Sequence, residues 1–309
     1  MGATVPAPTP FGDRLAAAVA RRESQIVLGL DPDPAGLWPV DVAGLQEDRA
    51  QRAGRAVATH CRGVIAAAGS ACVAVKPQLA CFERLGAPGW AALADVVAAA
   101  REWGLLVLAD GKRGDVPVSA AAYAQALVGS TPAPGGAVPG LGVDAFTASP
   151  LLGADSLGPL IDGARARGAG VFALVRTSNP GAADLMDLEL AEGGPLWACL
   201  ARLVSRLGEA GRGPQSGLAD VGAVTGATVP EHLERMRELM PATPFLLPGV
   251  GAQGGDVRAL APAFAPGRAA GLVTASRSIV DAHRSAGGAP AAAALAEAER
   301  LRALAWSLR

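Results

Sequence analysis

Aromatic side chains are scarce: six Phe, five Trp and one Tyr among 309 residues. Stacking platforms that grip single-stranded nucleic acid are therefore not expected. Charge is sparse too, with 27 Lys and Arg against 28 Asp and Glu and a formal net charge of −1. That balance gives no reason to expect a polyanionic partner, so no nucleic acid. Only four cysteines (Cys61, Cys72, Cys81, Cys199) and three histidines (His60, His232, His283) are present. They form no CxxC pair and no Cys/His zinc spacing, and the cysteines read as buried, reduced thiols of a cytoplasmic protein. Met1 to Pro10 lacks the basic region and apolar run of a secretory signal. The stretch Val116 to Val143 is 28 residues without a charge, but four prolines and five glycines interrupt it. It reads as a short helix followed by a loop rather than a membrane span.

Aliphatic residues are what the chain has in quantity. Half of it is hydrophobic, and a mean hydropathy of +0.30 allows a large core and excludes disorder. Short apolar runs recur at Ile26–Leu30, Cys72–Val75, Leu105–Ala109, Val143–Phe146, Val171–Val175, Val221–Val224, Phe245–Leu247 and Leu272–Thr274. Their Val, Leu and Ile content, with little polar alternation, is that of strands buried on both faces of a parallel sheet. Amphipathic segments lie between them, among them Arg55–Ala68, Ala91–Trp103 and Ala291–Leu308. Thr228-Val-Pro-Glu231 reads as a capping box, followed by a stripe of Leu233, Met236 and Met240. Eight strands alternating with helices predict an α/β fold, a (β/α)8 TIM barrel, although periodicity alone leaves an open doubly wound sheet as the alternative. Length by itself suggests two domains. Ser130–Gly140, rich in Pro and Gly, reads as an inserted surface loop.

Polar residues gather where the apolar runs end, the place where barrels of this kind keep their active sites. The first run ends in Asp31, the second in Lys76 and the third in Asp110-Gly-Lys112-Arg-Gly-Asp115. The fifth leads into Arg176-Thr-Ser178-Asn-Pro, the seventh into Gly249-Val-Gly-Ala-Gln253-Gly254, and the eighth into Ser276-Arg277. Six such places point to one site drawn from Asp31 to Arg277, so the whole of residues 1–309 reads as one barrel domain with an insertion at about 130–140. Asp110 and Asp115 flank Lys112, and convergence with Lys76 would give alternating ammonium and carboxylate groups. Such a network keeps Lys112 protonated and suits stabilising, then protonating, a carbanion; an ion-pair network closing the barrel mouth is the alternative. Gly249 to Gly254 is also a literal G-x-G-x-x-G, but no acid stands about 20 residues on to hold a ribose. A phosphate cup after the last two strands fits it better than a nicotinamide site. There Gln253, loop amides and Arg277 would meet a phosphate monoester.

The segments LGLDPDP, VAVKPQ, LADGKRGDV, DAFTASPLLG, VRTSNPG, PGVGAQGGD and TASRSIV together resemble the orotidine 5′-phosphate decarboxylase family, in the longer bacterial form often called type 2. The D-x-K-x-x-D element is shared by a wider group of phosphate-binding barrels; its combination with the other segments is far more specific. The resemblance implies a (β/α)8 barrel acting as a cytoplasmic homodimer with shared sites, no cofactor and no metal. The implied reaction takes orotidine 5′-phosphate to UMP and CO2, the last step of de novo pyrimidine synthesis. It implies Lys112 as proton donor to C6, Asp110 against the departing carboxylate, and Asp115 reaching in from the other subunit. Asp31 and Lys76 would hold the ribose hydroxyls, Ser178 the pyrimidine edge, and Gln253, Gly254 and Arg277 the phosphate. Ser119 stands where the family commonly has a Thr for a ribose hydroxyl. Relatives that use Mg²⁺ on this barrel place a carboxylate ligand after the second strand, where Lys76 here would repel a cation.

Overall fold

Strands buried on both faces have to find neighbours on both edges, and here eight of them close into a parallel ring. The computed structural model describes residues 7–39, 48–251 and 253–308. The strands are β1 (Ile26–Leu30), β2 (Ala74–Pro77), β3 (Leu106–Arg113), a hairpin of β4 (Ser130–Ala133) and β5 (Gly136–Pro139), then β6 (Ala145–Ala148), β7 (Gly170–Arg176), β8 (Val221–Thr225), β9 (Phe245–Leu247) and β10 (Gly271–Ala275). The barrel runs β1-β2-β3-β6-β7-β8-β9-β10, and Ile26 opposite Val273 closes it. Helices connect the strands: α1 (Phe11–Arg22) before β1, α2 (Arg49–Ala68) after it, and α3 (Leu79–Glu83) with α4 (Ala87–Glu102) after β2. Then come α5 (Pro117–Leu127), α6 (Ala154–Arg165), α7 (Ala183–Met186), α8 (Leu196–Gly208), α9 (Leu233–Leu239), α10 (Arg277–Val280), α11 (Ala282–Ala286) and α12 (Pro290–Ser307). None of the described helices is long and apolar enough to cross a membrane.

Side chains alternate along a strand, and this divides the core in two. Leu28, Val75, Val107, Phe146, Val171, Ala223, Phe245 and Val273 face outward into a large cluster with the helices. Val27, Ala74, Leu108, Ala145, Phe172, Leu246 and Leu272 form a second cluster with Phe11, Leu15 and Val19 of α1. Helix α1 thus stoppers the barrel interior, with Phe11 edge-on to Phe172 at 5.9 Å between ring centres. Two residues further along the same inward face, apolar side chains give way to Lys76, Asp110, Thr147 and Thr274.

Three expectations need correcting. Ser130–Gly140 is an antiparallel hairpin, with Ser130 opposite Pro139, rather than a loop; its prolines are tolerated because a two-stranded ribbon is all edge. The Thr228 capping box does not form: the Thr228 hydroxyl donates to the Ser178 carbonyl, and Pro230–His232 make a 3₁₀ turn ahead of α9. Leu233, Met236 and Met240 are nonetheless buried, as their spacing requires. Of the cysteines, Cys61 and Cys72 are buried, but Cys81 is only half-buried and Cys199 is exposed.

Arg237 of α9 clasps the far side of the barrel. Its guanidinium is buried, lies 3.8 Å above the Phe245 ring and donates to the carbonyls of Met240, Thr243, Ala263 and Ala270. Arg237→Met keeps the apolar stem and takes its donor from all four carbonyls, of which Met240 keeps a backbone N–H from Thr243 at 3.3 Å. The unfolding free energy in urea should fall by about 3 kcal/mol.

Candidate active site

A cavity of about 460 Å³ opens at the C-terminal ends of the strands. Asp31, Lys76, Asp110, Lys112, Ser178, Gln253 and Arg277, drawn from six separate segments, all line it. Asp115, Ser119 and Gly254 do not. Asp115 accepts from the backbone N–H of Val116 at 2.7 Å, and among the described residues no ion pair joins it to Lys112, whose partner is Asp110. Ser119 is half-buried on α5. The N–H of Gly254 is spent on the Gly251 carbonyl at 2.8 Å. Arg176 also turns aside, making a two-pronged pair with Asp187, at 3.1 Å through Nε and 2.8 Å through Nη2. That pair fixes the segment carrying Ser178 and Met186, and the Asp187 carboxyl is lowered by the Arg176 hydrogen bond.

Asp110 stands at the centre. One carboxylate oxygen takes Lys112 Nζ at 2.6 Å and Thr147 Oγ1 at 2.9 Å. The other takes Lys76 Nζ at 2.7 Å and Gln78 Nε2 at 3.3 Å. Asp31 lies 3.9 Å from Lys76 on its other side. Burial alone would raise the Asp110 carboxyl, but Lys76 and Lys112 outweigh it and hold that group well below the usual carboxylate range. Burial would likewise depress the Lys76 ammonium, yet Asp110, followed by Asp31, raises it above its ordinary value. Lys112, with its side chain 44% exposed, carries its ammonium from this pair into the cavity.

The other end of the cavity is made of loops. Gly249, Gly251 and Gly254 have φ of 105°, 72° and 89°, the left-handed region that favours glycine. The loop coils back on itself, with Gly251 N–H to Gly255 O at 3.1 Å and Gly255 N–H to Gly249 O at 3.0 Å. It leads into the 3₁₀ segment Val257–Phe264 rather than an α-helix, so it lacks the helix start that a dinucleotide fingerprint requires. Arg277, at the start of α10, is exposed, and its side chain has no hydrogen-bond or ion-pair partner among the described residues.

Gln78, Thr147, Asn179, Met186 and Thr274 also line the cavity and carry no site expectation from the sequence. Alternation could have found Thr147 and Thr274, each two residues beyond a core position on an inward face. Among the described residues no group of three or more His, Cys, Asp or Glu is placed to hold a metal ion.

A closed parallel barrel with a charged, strand-borne cluster at its C-terminal mouth defines a (β/α)8-barrel enzyme. The chain belongs to the orotidine 5′-phosphate decarboxylase / HUMPS family, whose model matches residues 24–292. It is 39% identical over 277 residues to the orotidine 5′-phosphate decarboxylase of Rhodopirellula baltica, covering 89% of each chain. To the enzyme of the same name from Deinococcus radiodurans it is 40% identical over 291 residues, covering 94% of this chain and 96% of that one. The solved structure of Leishmania donovani OMP decarboxylase superposes with a TM-score of 0.71 at 31% identity, over 96% of this chain and all of that one.

The charged network has a definite pH signature. Because the folded Asp110 pKa is depressed, its contribution to stability is present above the unfolded value near about 3.9 and is lost as pH falls through the lower folded one. Because the folded Lys76 pKa is raised, its contribution is complete below about 10.4 and is lost as pH rises through the folded value. Lys76→Met leaves a buried carboxylate with one cation in place of two. Acid unfolding, followed by circular dichroism, should move to higher pH, and stability at pH 7 should drop by about 3 kcal/mol.

Proposed function

We propose that this chain decarboxylates orotidine 5′-phosphate to UMP and CO2 in the cytoplasm, the last step of UMP synthesis, using its own side chains and no cofactor or metal. The observation that carries this reading is the Lys76–Asp110–Lys112 chain, with Lys112 Nζ 2.6 Å from Asp110 and facing the cavity. The C6–carboxylate bond breaks with its electron pair left on C6, and CO2 departs. Lys112 gives its proton to that carbon and is reprotonated from water, so one proton is taken up per turnover. Asp110 lies against the substrate carboxylate and then faces the vinyl carbanion together with Lys112. Asp31 and Lys76 hold the ribose hydroxyls, and Ser178 the pyrimidine edge. The unpaired Arg277, with Gln253 and the glycine loop, takes the phosphate.

A phosphate grip far from C6 helps the reaction only where it is stronger in the transition state than in the ground state. Closing loops on the phosphate and ribose can force the reacting carboxylate into the charged cluster. On this reading Asp115 and Ser119 serve the site of a second subunit in a homodimer, each subunit a single barrel domain. Supporting it, Val116, Val118, Leu151 and Leu152 near Asp115 are large, apolar and exposed, Val118 to 84%. Such a patch beside a carboxylate that does not line its own cavity fits a subunit contact.

Purified protein incubated with orotidine 5′-phosphate should consume the orotate chromophore equally with and without EDTA. No loss of chromophore would overturn the reading, and loss sensitive to EDTA would point to metal-using relatives. Lys112→Ala should abolish turnover while UMP binding stays measurable by calorimetry; appreciable turnover would refute Lys112 as the acid. Arg277→Ala should lower kcat/KM by several kcal/mol, on the order of a hundredfold or more.

A further inference from the structure

Lys112 has a φ of 47°, a backbone conformation that side chains other than glycine rarely adopt. Its strand has slipped out of regular pairing just there: the β3–β6 register shifts between Ala109 and Arg113. The Lys112 N–H is directed at a side chain instead, the Thr147 hydroxyl on β6, at 2.9 Å. That oxygen, on a residue only 2% exposed, is also 2.9 Å from Asp110 Oδ1. An ionised carboxylate has no proton to offer, so the hydroxyl proton lies toward Asp110 and its lone pair toward Lys112 N–H. One neutral group thereby fixes the backbone that carries one ammonium and the carboxylate that this ammonium faces.

We infer that Thr147 is a positioning residue for the proton transfer: its hydroxyl sets where Lys112 Nζ stands and keeps Asp110 in place when Lys112 gives up its charge. The inference rests on the decarboxylase reading. Before transfer Asp110 faces two ammonium groups; afterwards Lys112 is a neutral amine. Its oxygen Oδ1 would then have lost its cation, and Thr147 is the other side chain donating to that oxygen. The hydroxyl needs no proton from the reaction and loses none, so its bond survives the step.

Two substitutions separate position from packing. Thr147→Val keeps the shape of the side chain and removes the hydroxyl; Thr147→Ser keeps the hydroxyl and removes a methyl group. With orotidine 5′-phosphate, the Val variant should lose about 10- to 100-fold in kcat, with UMP affinity within twofold of the unmutated protein. The Ser variant should recover kcat to within a few-fold. Hydrogen exchange at the Lys112 amide reads the same geometry without turnover: slow in the unmutated protein and the Ser variant, fast in the Val variant. Should the Val variant not fold, Thr147→Ala removes the same hydroxyl with less bulk and carries the same expectations. A Val variant with kcat within twofold of an active unmutated protein, or a Ser variant the more damaged of the two, would overturn the role of Thr147 alone. An unmutated protein without turnover would overturn the decarboxylase reading and this inference with it.

Discussion

A carboxylate withdrawn from water is tolerated only with cations and donors against it, and Asp110 has Lys76 on one oxygen and Lys112 on the other. Much of the barrel's architecture serves that requirement. Three adjacent strands, β2, β3 and β6, bring Lys76, Asp110 with Lys112, and Thr147 to the same inward layer. Below that layer the interior is Leu108, Phe172 and Leu246, stoppered by Phe11 and Leu15 of α1. An apolar floor gives the charges above it a low dielectric, where each pairwise interaction is stronger than in water. The same floor makes an unpaired charge costly, which is why the network is saturated: both Asp110 oxygens accept two bonds each.

This dependence explains which parts of the fold could be read from the sequence. Strands buried on both faces admit mainly apolar residues, so all eight were visible as short aliphatic runs, and Ile26–Leu30 and Phe245–Leu247 fall on their predicted bounds. The apolar pattern stops where the site begins. β3 therefore continues past Ala109 to Arg113, and β6 past Phe146 to Ala148, because polar side chains inside the mouth are still strand residues. Asp31, Lys76, Asp110, Lys112, Ser178, Gln253 and Arg277 stood out as charged or polar groups just after such runs, and the fold collects them in one cavity. Thr147 did not stand out, since a threonine in a β-rich run is ordinary strand composition.

Other features were illegible for a different reason: their partners are remote in sequence. Thr228 sits ideally for a local cap, yet its hydroxyl is taken by the Ser178 carbonyl, 50 residues away. Arg176 reads as one more site cation until Asp187, on the far side of α7, takes both of its prongs. Nothing in spacing alone distinguishes a side chain that faces a ligand from one that pins a neighbouring loop. The pairing of Arg176 with Asp187, and the lack of a partner for the Arg277 side chain among the described residues, are tertiary facts.

The division between strands and loops also bears on how the site can work. Lys76, Asp110, Lys112 and Thr147 all lie within strands: regular ladders hold Lys76 and Thr147, and at the break in the β3 ladder a bridge to Gln78 holds Asp110 and the Thr147 hydroxyl takes the Lys112 N–H. Ser178, Gln253 and Arg277 lie on loops or at the first turn of a four-residue helix, where a single polar bond from Thr228 Oγ1 to the Ser178 carbonyl ties one loop to the next. Reacting groups need fixed positions, because a saturated charge network tolerates little displacement before a buried donor or acceptor is stranded. On the proposed reading, groups that hold the pyrimidine edge and a distant phosphate need the opposite freedom, since they have to admit the ligand and then close around it. A barrel supplies both at one mouth: rigid strand ends beneath, adjustable loops above. Binding energy gathered by the loops can thus be spent against a reacting centre that does not move away from it.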